Sequence, residues 1–431
     1  MSGLSATRIP WAPLADGSWP VQRAKTVMYR AKELNVDRRE KQILSLTLRG
    51  VVENDPENPE GLVPSDYATY QIFERDDLVF KLIDLENLRT SRVGWVHRRG
   101  IMSSAYLRLR PRSGIDVRYF YWQFFDLYGR HVFNELGSGV RSTLGAEEVL
   151  ELPLLIPPYE AQTAIVDYLD AETARIDALV AKKQRLVNLL EERKVGLAHE
   201  MITGSSIDCS TRRRTHEWLG AIPTDWPFAP VGSKYSVVLG RMLNPERTSG
   251  KDMKPYIRNA NVRWDYVDVT DIAEMEFPLS ERAKYALKVG DLLINEGGAG
   301  VGRSAIWQGA LSECYFQKSV LRLRPIADAR PEWMVECMRV AVAQNVLLVE
   351  GNLATIPHVP AEALRPMRFP FPPAEIQDAL LAQLRSELNR DQEVNRNLQS
   401  QIGLLLERRQ AVITAAVTGQ LDIQELANGN D

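Results

Sequence analysis

Arginine side chains are concentrated between residues 89 and 118. This segment carries eight arginines and one acidic residue, Asp116. Guanidinium groups on loops between strands can hold phosphate oxygens and can pair bidentately with guanine. We therefore take three of these side chains as candidate nucleic-acid contacts: Arg92, Arg98 and Arg99. Two others alternate along a predicted strand, where a solvated face is favoured over nucleic-acid contact: Arg108 and Arg110.

A second basic run lies between residues 241 and 263, and two asparagines lie within it. Asparagine can donate to adenine and accept from it at the same time, so this run combines groups for phosphate with groups for a base edge. A glutamine and a lysine further along the chain extend the set. The candidates in this half are Lys251, Lys254, Arg258, Asn259, Asn261, Gln317 and Lys318.

Residues 297–304 have the spacing of a phosphate-binding loop, with Arg303 where that loop carries lysine. The loop requires a helix directly after it, because the helix N-terminus contributes to phosphate binding. Residues 305–308 are instead predicted to continue as a strand. We therefore predict a tight hairpin turn, whose glycines still allow the backbone and Arg303 to approach a phosphate.

No catalytic motif is complete in this sequence. The Pro-Pro strings that begin at Ile156 and Phe371 resemble the Asn/Asp-Pro-Pro-Tyr box of adenine methyltransferases, but they lack the amide or carboxylate that holds the adenine amino group. Asp291 and Glu296 lie near one another without a lysine partner, so a nuclease metal site is not expected. We predict that this chain carries no catalytic residue, metal or cofactor.

The composition is typical of an ordinary globular protein. The chain has 431 residues, 45% of them hydrophobic, and a formal net charge of −3, so nucleic-acid binding must depend on local basic patches. No stretch approaches the ~20 apolar residues of a membrane helix, and the start lacks the apolar core of a signal peptide. Cys209, Cys314 and Cys337 show no metal-binding spacing. We expect a cytoplasmic location without membrane contact.

The chain contains two copies of one sequence unit. A Pro-Pro-x-Glu-x-Gln pattern recurs at an offset of 372 − 157 = 215 residues, and two further strings recur at an offset of 321 − 107 = 214. An internal repeat of this length indicates a repeated structural unit. The matched strings are 157–162 with 372–377, 107–111 with 321–325, 77–78 with 291–292, and 19–20 with 226–227.

A long helix is predicted at the end of each copy, from residue 159 to 204 and from residue 374 to 419. Hydrophobic residues step by three and four along both segments, as in a heptad seam, and Thr-Gly suits a C-terminal cap. A helix of about 45 residues spans roughly 65 Å, and so long an apolar stripe must be buried. We predict that the two helices form an antiparallel coiled coil; packing on separate domains is the alternative.

The segments before the helices are predicted to mix strands and helices, with more strand. We predict strands at 235–239, 291–295 and 319–323, and short helices at 119–125 and 332–338. The predicted fold class is therefore α/β (α+β), with two tandem globular domains, each followed by a long helix, and with pseudo-two-fold symmetry.

This layout resembles the specificity (S) subunits of Type I restriction-modification systems along nearly the whole chain. Four strings carry the resemblance: 100–106, which includes Ser103; 139–144, which includes Arg141; 218–226; and 290–295, followed by a glycine-rich stretch and Gln317. The strings occur in the family's order, which is more specific than any one of them. Ser103 and Arg141 therefore join the candidate DNA contacts. The second copy departs from the 139–141 string, and no counterpart is assigned there.

The resemblance implies sequence-specific recognition of an asymmetric, bipartite site in double-stranded DNA. It implies partners as well: two modification subunits that methylate adenine N6 with their own S-adenosylmethionine, and restriction subunits that use ATP and Mg for defence against phage. The implied domains are a first target recognition domain (1–156), a first helical spacer (157–205), a second target recognition domain (206–371), a second helical spacer (372–425) and a tail (426–431).

Two other functions compete with this one. A non-catalytic interaction scaffold would carry two protein-binding modules on a coiled-coil spacer, and salt-dependent binding to duplex DNA distinguishes it from a specificity subunit. A fused enzyme with its own methyltransferase is disfavoured by the missing catalytic boxes.

Overall fold

The chain folds as two α+β units, seen in a computed structural model that describes residues 11, 19–48, 50–55, 66–83, 92–136, 144–209, 211–215, 218–243, 250, 252–326, 328–349 and 358–421. The first unit comprises Met1–Gln184 and Ser400–Asp431, and the second comprises Arg185–Gln399. The predicted mixed fold class is confirmed. The unit boundaries fall inside the two long helices, whereas the consecutive domain limits implied by the resemblance stay a prediction.

Short strands precede helix α1 in the first unit, and β10 lies between α3 and the long helix α4. Helix α1 begins after Asp116, whose carboxylate accepts the backbone N–H of Arg118 at 3.0 Å and so caps the first turn. The elements are β1 (Val21–Arg23), β2 (Met28–Ala31), β3 (Ile43–Thr47), β4 (Gly50–Asn54), β5 (Gln71–Phe73), β6 (Leu78–Phe80), β7 (Val93–Trp95), β8 (Gly100–Met102), β9 (Leu107–Pro111), α1 (Val117–Gly129), α2 (Val132–Leu136), α3 (Ala146–Glu151), β10 (Pro153–Leu155) and the first part of α4 (Tyr159–Thr203).

The described strands of the first unit form sheets with the orders β2-β9-β6-β7 and β4-β3-β8-β5, together with the pair β1-β10. Their neighbours are antiparallel except for β3 and β8, which pair in parallel at Ile43 and Ile101. Helix α1 covers the first sheet, where the rings of Phe80 and Phe124 meet edge to face with centroids 5.0 Å apart. Burial of these aromatic side chains holds the helix on the sheet.

The second unit repeats this plan, and its predicted strands and short helix are confirmed as β14, β17, β20 and α6. Its elements are β11 (Arg212–Arg214), β12 (Ala221–Pro223), β13 (Phe228–Pro230), β14 (Tyr235–Leu239), β15 (Met253–Ile257), β16 (Ala273–Glu276), α5 (Leu279–Tyr285), β17 (Leu292–Asn295), β18 (Ser304–Ile306), β19 (Tyr315–Phe316), β20 (Val320–Pro325), α6 (Pro331–Ala343), α7 (Val346–Val349), α8 (Ala361–Leu364), β21 (Arg368–Pro370) and most of α9 (Ala374–Val417).

The sheets of the second unit follow those of the first, except that no strand among the described residues corresponds to β5. The order β14-β20-β17-β18 corresponds to β2-β9-β6-β7, and β15 pairs with β19 in parallel at Ile257 and Phe316, as β3 pairs with β8. The strands β15, β16 and β19 form a second sheet, and β11-β12 and β13-β21 form pairs. The sequence repeat is therefore a repeat of topology.

The two long helices pair antiparallel inside each unit. In the first unit Glu172 of α4 accepts from Arg408 of α9 at 3.1 Å, and Lys183, further along α4, donates to Gln401, earlier in α9. In the second unit Arg193 Nη1 donates to both carboxylate oxygens of Asp391, at 2.6 and 2.8 Å. The predicted helices and their pairing are confirmed, and each helix ends at the Thr before its predicted glycine cap or one residue earlier.

A tryptophan packs on the glycine after each long helix. Gly204 has a φ of +62°, and a Cβ there would lie 2.7 Å from the ring of Trp226. Gly419 has a φ of +76° and faces Trp19 in the same way. Only glycine adopts this backbone conformation without strain, so both predicted caps are confirmed. The tryptophan of the recurring Trp-Pro string thus packs against the C-terminal end of each long helix.

Candidate nucleic-acid interface

Arg98 and Arg99 lie in the turn between β7 and β8 of the first unit, and both side chains are exposed. Arg98 Nη1 is 2.9 Å from each carboxylate oxygen of Glu53. Arg99 Nε donates to Glu40 at 2.9 Å, and Nη1 donates to Glu74. The hydrogen bond to Glu40 is the main reason that the pKa of Arg99 is raised. Exposed ion pairs contribute little to stability, so a phosphate can take the place of these carboxylates.

Arg92 is buried, with 1% of its surface exposed, and its Nη1 donates to the carbonyl of Ile83 at 3.0 Å. Arg108 is equally buried, and its Nε donates to Asp77 at 2.6 Å. A buried guanidinium that binds the protein's own acceptors supports the fold instead of reaching a duplex. Neither arginine is retained as a direct contact.

Ser103 lies in the turn between β8 and β9, where its hydroxyl accepts the backbone N–H of Ala105 at 3.3 Å. The buried side chain of Gln71 supports this turn by donating to the carbonyls of Ser103 and Tyr106, at 3.3 and 2.6 Å. Sequence reasoning missed Gln71, because only its place beside β8 shows what it does. The candidate Arg141 lies outside the described residues.

The corresponding turn of the second unit, between β19 and β20, carries Gln317 and Lys318. Gln317 lies 317 − 103 = 214 residues after Ser103, which is the offset of the neighbouring repeat strings. The turn is fixed by its backbone: Gln317 N donates to Ile257 O at 2.9 Å, and Lys318 N donates to Arg241 O at 2.8 Å. The repeat therefore places the candidates Ser103 and Gln317 at equivalent positions.

The glycine-rich segment between β17 and β18 is a hairpin turn, as predicted, because β18 runs antiparallel to β17. Asn295 accepts the N–H of Gly302 through its backbone carbonyl at 2.9 Å, and the side chain of Asn259 donates to Gly297 O. Asn259 N in turn donates to Ser319 Oγ at 3.1 Å. The hairpin, Asn259 and the turn that holds Gln317 are thus joined by hydrogen bonds.

The basic candidates of the second unit differ in whether a carboxylate already holds them. Lys254 Nζ lies 2.6 Å from Glu313, and this hydrogen bond is the main cause of the lowered pKa of Glu313. Arg258 pairs with Asp271. In the part of the chain that the structure describes, no carboxylate pairs with Arg303 or Lys318. These two cations are therefore available to a ligand, whereas Lys251 lies outside the described residues.

Asn261 is buried, and its side-chain nitrogen donates to the carbonyls of Asp268 and Asp271, both at 2.9 Å. Its carbonyl oxygen accepts the N–H of Arg258 at 3.0 Å. With its donors and its acceptor engaged inside the protein, Asn261 shapes the segment from 258 to 271 and is not retained as a base contact.

Within the described ranges, no group of three or more His, Cys, Asp or Glu side chains is arranged to hold a metal ion. The same residues include no helix that is long and apolar enough to cross a membrane.

Comparison with known proteins shows the fold. No family model matches the chain, and no curated protein matches it. A chain from a structure of the complex assembly and conformational transition of the type I R-M system matches with a TM-score of 0.60 and 14% identity, over 94% of this chain and 98% of that chain. The HsdS subunit from Thermoanaerobacter tengcongensis matches with a TM-score of 0.41 and 15% identity, over 94% and 97%. The S subunit of the Type I restriction-modification system from M. genitalium gives 0.37 and 11%, over 93% and 96%.

Proposed function

We propose that this chain is the specificity subunit of a Type I restriction-modification system, a sequence-specific DNA-binding protein that catalyses no reaction. The observation that carries the proposal is the fold shared, over almost the full length of both chains, with a component of a type I R-M system. The repeated turns of the two units support it, because each presents polar side chains at an equivalent position.

Each unit reads one part of a bipartite duplex site in this proposal. In the first unit Arg98 and Arg99 approach phosphates and Ser103 faces the bases; in the second, Arg303 and Lys318 approach phosphates and Gln317 faces the bases. Phosphate contacts fix register, and contacts to base edges carry the sequence information. The equivalent turns carry different side chains, so the two parts of the site differ and the whole site is asymmetric.

The remaining candidates take secondary roles. Lys254 and Arg258 can bind a phosphate only after they release Glu313 and Asp271, respectively. Arg141 and Lys251 complete the set of proposed DNA contacts. Arg92, Asn259 and Asn261 support the loops that present the others.

The proposed partners are double-stranded DNA, two modification subunits and restriction subunits, in the cytoplasm. The modification subunits would bind S-adenosylmethionine and methylate adenine N6, and the restriction subunits would use ATP and Mg. In this proposal the chain recognises the DNA sequence, and the enzymes dock along its helical spacers, 157–205 and 372–425.

Binding of the purified full chain to duplex DNA, measured between about 50 and 200 mM salt, tests the proposal. We expect sequence-selective binding that weakens steeply with salt, because counterions are released from each neutralised phosphate. Removing two exposed helix cations, with Lys182→Ala and Arg185→Ala, should leave binding unchanged and serves as the control. If the chain binds partner proteins but does not bind duplex DNA, it is the interaction scaffold instead.

A further inference from the structure

Gln317, Ser319 and the backbone of Asn259 form a chain of hydrogen bonds with a defined direction. Asn259 N donates to Ser319 Oγ at 3.1 Å, and Ser319 Oγ lies 3.0 Å from Gln317 Oε1. The Gln317 atom that faces Ser319 is the carbonyl oxygen. Because the backbone amide of Asn259 can only donate, the hydroxyl accepts on that side and its proton is left for this oxygen.

The orientation of the Gln317 amide follows from this chain. With Oε1 engaged by Ser319, the amide nitrogen and its two protons point away from the hydroxyl. A glutamine with both ends free can pair bidentately with adenine, donating to N7 and accepting from the N6 amino group. Held by Ser319, Gln317 presents its two donors on the side away from the hydroxyl. Its carbonyl oxygen keeps a second lone pair but stays directed at Ser319.

The backbone around Gln317 keeps this arrangement in place. Ser319 O accepts the N–H of Glu296 at 2.9 Å, and Gln317 O accepts the N–H of Val320 at 2.9 Å. A Cβ at Gly240 would lie 2.1 Å from Gln317 O, so the turn rests directly on a glycine backbone. A side chain held on so constrained a turn loses little further freedom on binding.

We infer that Gln317 acts as a hydrogen-bond donor to a guanine edge, and that Ser319 is the positioning residue that enforces this choice. Guanine presents two adjacent acceptors, N7 and O6, in the major groove, whereas adenine presents one acceptor beside a donor and cytosine presents a donor. The inference rests on the proposed function, because it names the base that this turn of the second unit reads.

The equivalent turn of the first unit also presents a hydrogen-bond donor. Ser103 Oγ accepts the N–H of Ala105 at 3.3 Å, which leaves the hydroxyl proton for an acceptor outside the chain. Ser103 and Gln317, at equivalent positions, thus both offer hydrogen-bond donors, one from a hydroxyl and the other from an amide.

Selection from a library of randomised duplexes tests the inference, with the full chain in the complex isolated from its native cells. Gln317→Ala identifies the base position that depends on this side chain. At that position the unaltered chain should prefer guanine over adenine on the order of tenfold, as expected for one good base contact. Ser319→Ala frees the amide to turn, and the preference should fall to about threefold or less while affinity for the guanine site changes little.

Three further variants make the readout specific. Gln317→Glu replaces donors with acceptors and should shift the preference to cytosine or adenine, whose edges donate. Ser319→Thr keeps the hydroxyl and should restore the guanine preference. A merely structural role of the hydroxyl would instead make Ser319→Ala weaken binding to all four bases alike and leave the ratio of guanine to adenine unchanged. Ser233→Ala removes an exposed serine hydroxyl that donates to Pro230 O in the same unit, and it should change no base preference.

Two outcomes would overturn the inference and leave the proposed function standing: an adenine preference at the Gln317 position, or unchanged preferences in Ser319→Ala and Gln317→Glu. Absence of any sequence-selective duplex binding by the unaltered complex would overturn the proposed function itself. The two failures are therefore distinguishable in one experiment.

Discussion

Asp291 is buried and accepts two hydrogen bonds from Arg324, from Nε and from Nη2, each 2.7 Å long. In the first unit the equivalent Asp77 is also buried; it accepts from Arg108 Nε at 2.6 Å, and Arg110 Nε lies 3.2 Å away. In each unit the recurring Asp-Leu string therefore supplies the acid of an ion pair, and the Leu-Arg-Leu-Arg-Pro string supplies the arginine. The ion pair links β6 to β9 in the first unit and β17 to β20 in the second. Arg108 and Arg110 belong to this pair and not to the proposed interface.

Replacing Asp291 with Asn should destabilise the second unit by about 3 kcal/mol, because one partner of a largely buried ion pair is removed and Arg324 keeps its charge. The carboxylate also accepts the N–H of Lys288 at 2.7 Å, which adds to its importance. The urea midpoint for unfolding measures the effect. Asp328→Asn, an exposed change in the same unit, should change the free energy of unfolding by less than about 0.5 kcal/mol. Equal midpoints for the two variants would contradict a structural role of the pair.

Replacing Arg98 and Arg99 together with Ala should weaken duplex binding and lower the salt slope by about two, because each of the two guanidinium groups neutralises one phosphate in the proposed complex. A titration of DNA binding against salt measures both the affinity and the slope. The expected weakening concerns all sequences alike, because phosphate contacts carry no sequence information.

Glu53→Gln should act in the opposite direction. The carboxylate that holds Arg98 at 2.9 Å loses its charge, so the guanidinium is freed for phosphate and duplex affinity rises. The same salt titration measures this. Weaker binding by Glu53→Gln would mean that Glu53 supports the interface and does not compete for Arg98.

Replacing Arg303 and Lys318 with Ala should reduce the salt slope by about two, whereas Lys254→Ala should reduce it by less than about one. The smaller loss per cation for Lys254 follows from pairing, since Glu313 lies 2.6 Å from Lys254 and its charge would have to be displaced by DNA. A loss of about one for Lys254→Ala, equal to the loss per cation in the double variant, would show that ion pairing within the chain does not decide which cations bind.

The pairing of the helices in the first unit should depend on pH through Glu172. Its pKa is lowered by the hydrogen bond from Arg175 and further by Arg408. A carboxyl with a lower pKa in the folded state stabilises the fold above its unfolded pKa of about 4.3, and the contribution disappears as the pH falls through the folded value. Glu172→Gln should therefore lower the urea midpoint at about pH 7 and match the unaltered chain near pH 2. Glu191→Gln, exposed on the same helix, is the control, and a deficit of Glu172→Gln that persists at the acidic pH would speak against the ion pair.

The chain purified free of other subunits should neither methylate nor cleave DNA when supplied with S-adenosylmethionine, ATP and Mg. The reason is the incomplete Pro-Pro boxes at Ile156 and Phe371, which lack the group that holds the adenine amino nitrogen. Transfer of a radiolabelled methyl group measures the first activity and gel analysis of plasmid DNA the second. Methyl transfer by such a preparation would refute a purely recognising role.

Much of the fold could be predicted because its signals are local or repeated. The stepwise apolar residues of α4 and α9, the Thr-Gly caps and the hairpin at 297–302 each depend on residues close together in the chain. The internal repeat added what no single segment shows, namely that Ser103 and Gln317 hold equivalent positions. Twofold repetition also predicted that the helices pair, because each apolar stripe needs a partner.

The character of the candidate site was decided by tertiary contacts between residues far apart in the sequence. Arg92 and Arg98 have the same chemistry and lie six positions apart, yet one is buried against Ile83 and the other is exposed beside Glu53, which lies 45 positions away. The amide of Gln317 is oriented through Ser319, which accepts a backbone N–H from a residue 60 positions earlier in the chain. Burial and hydrogen-bond partners depend on where strands cross, so residue type and spacing identify candidates, and the packed sheets determine which of them can still meet a ligand.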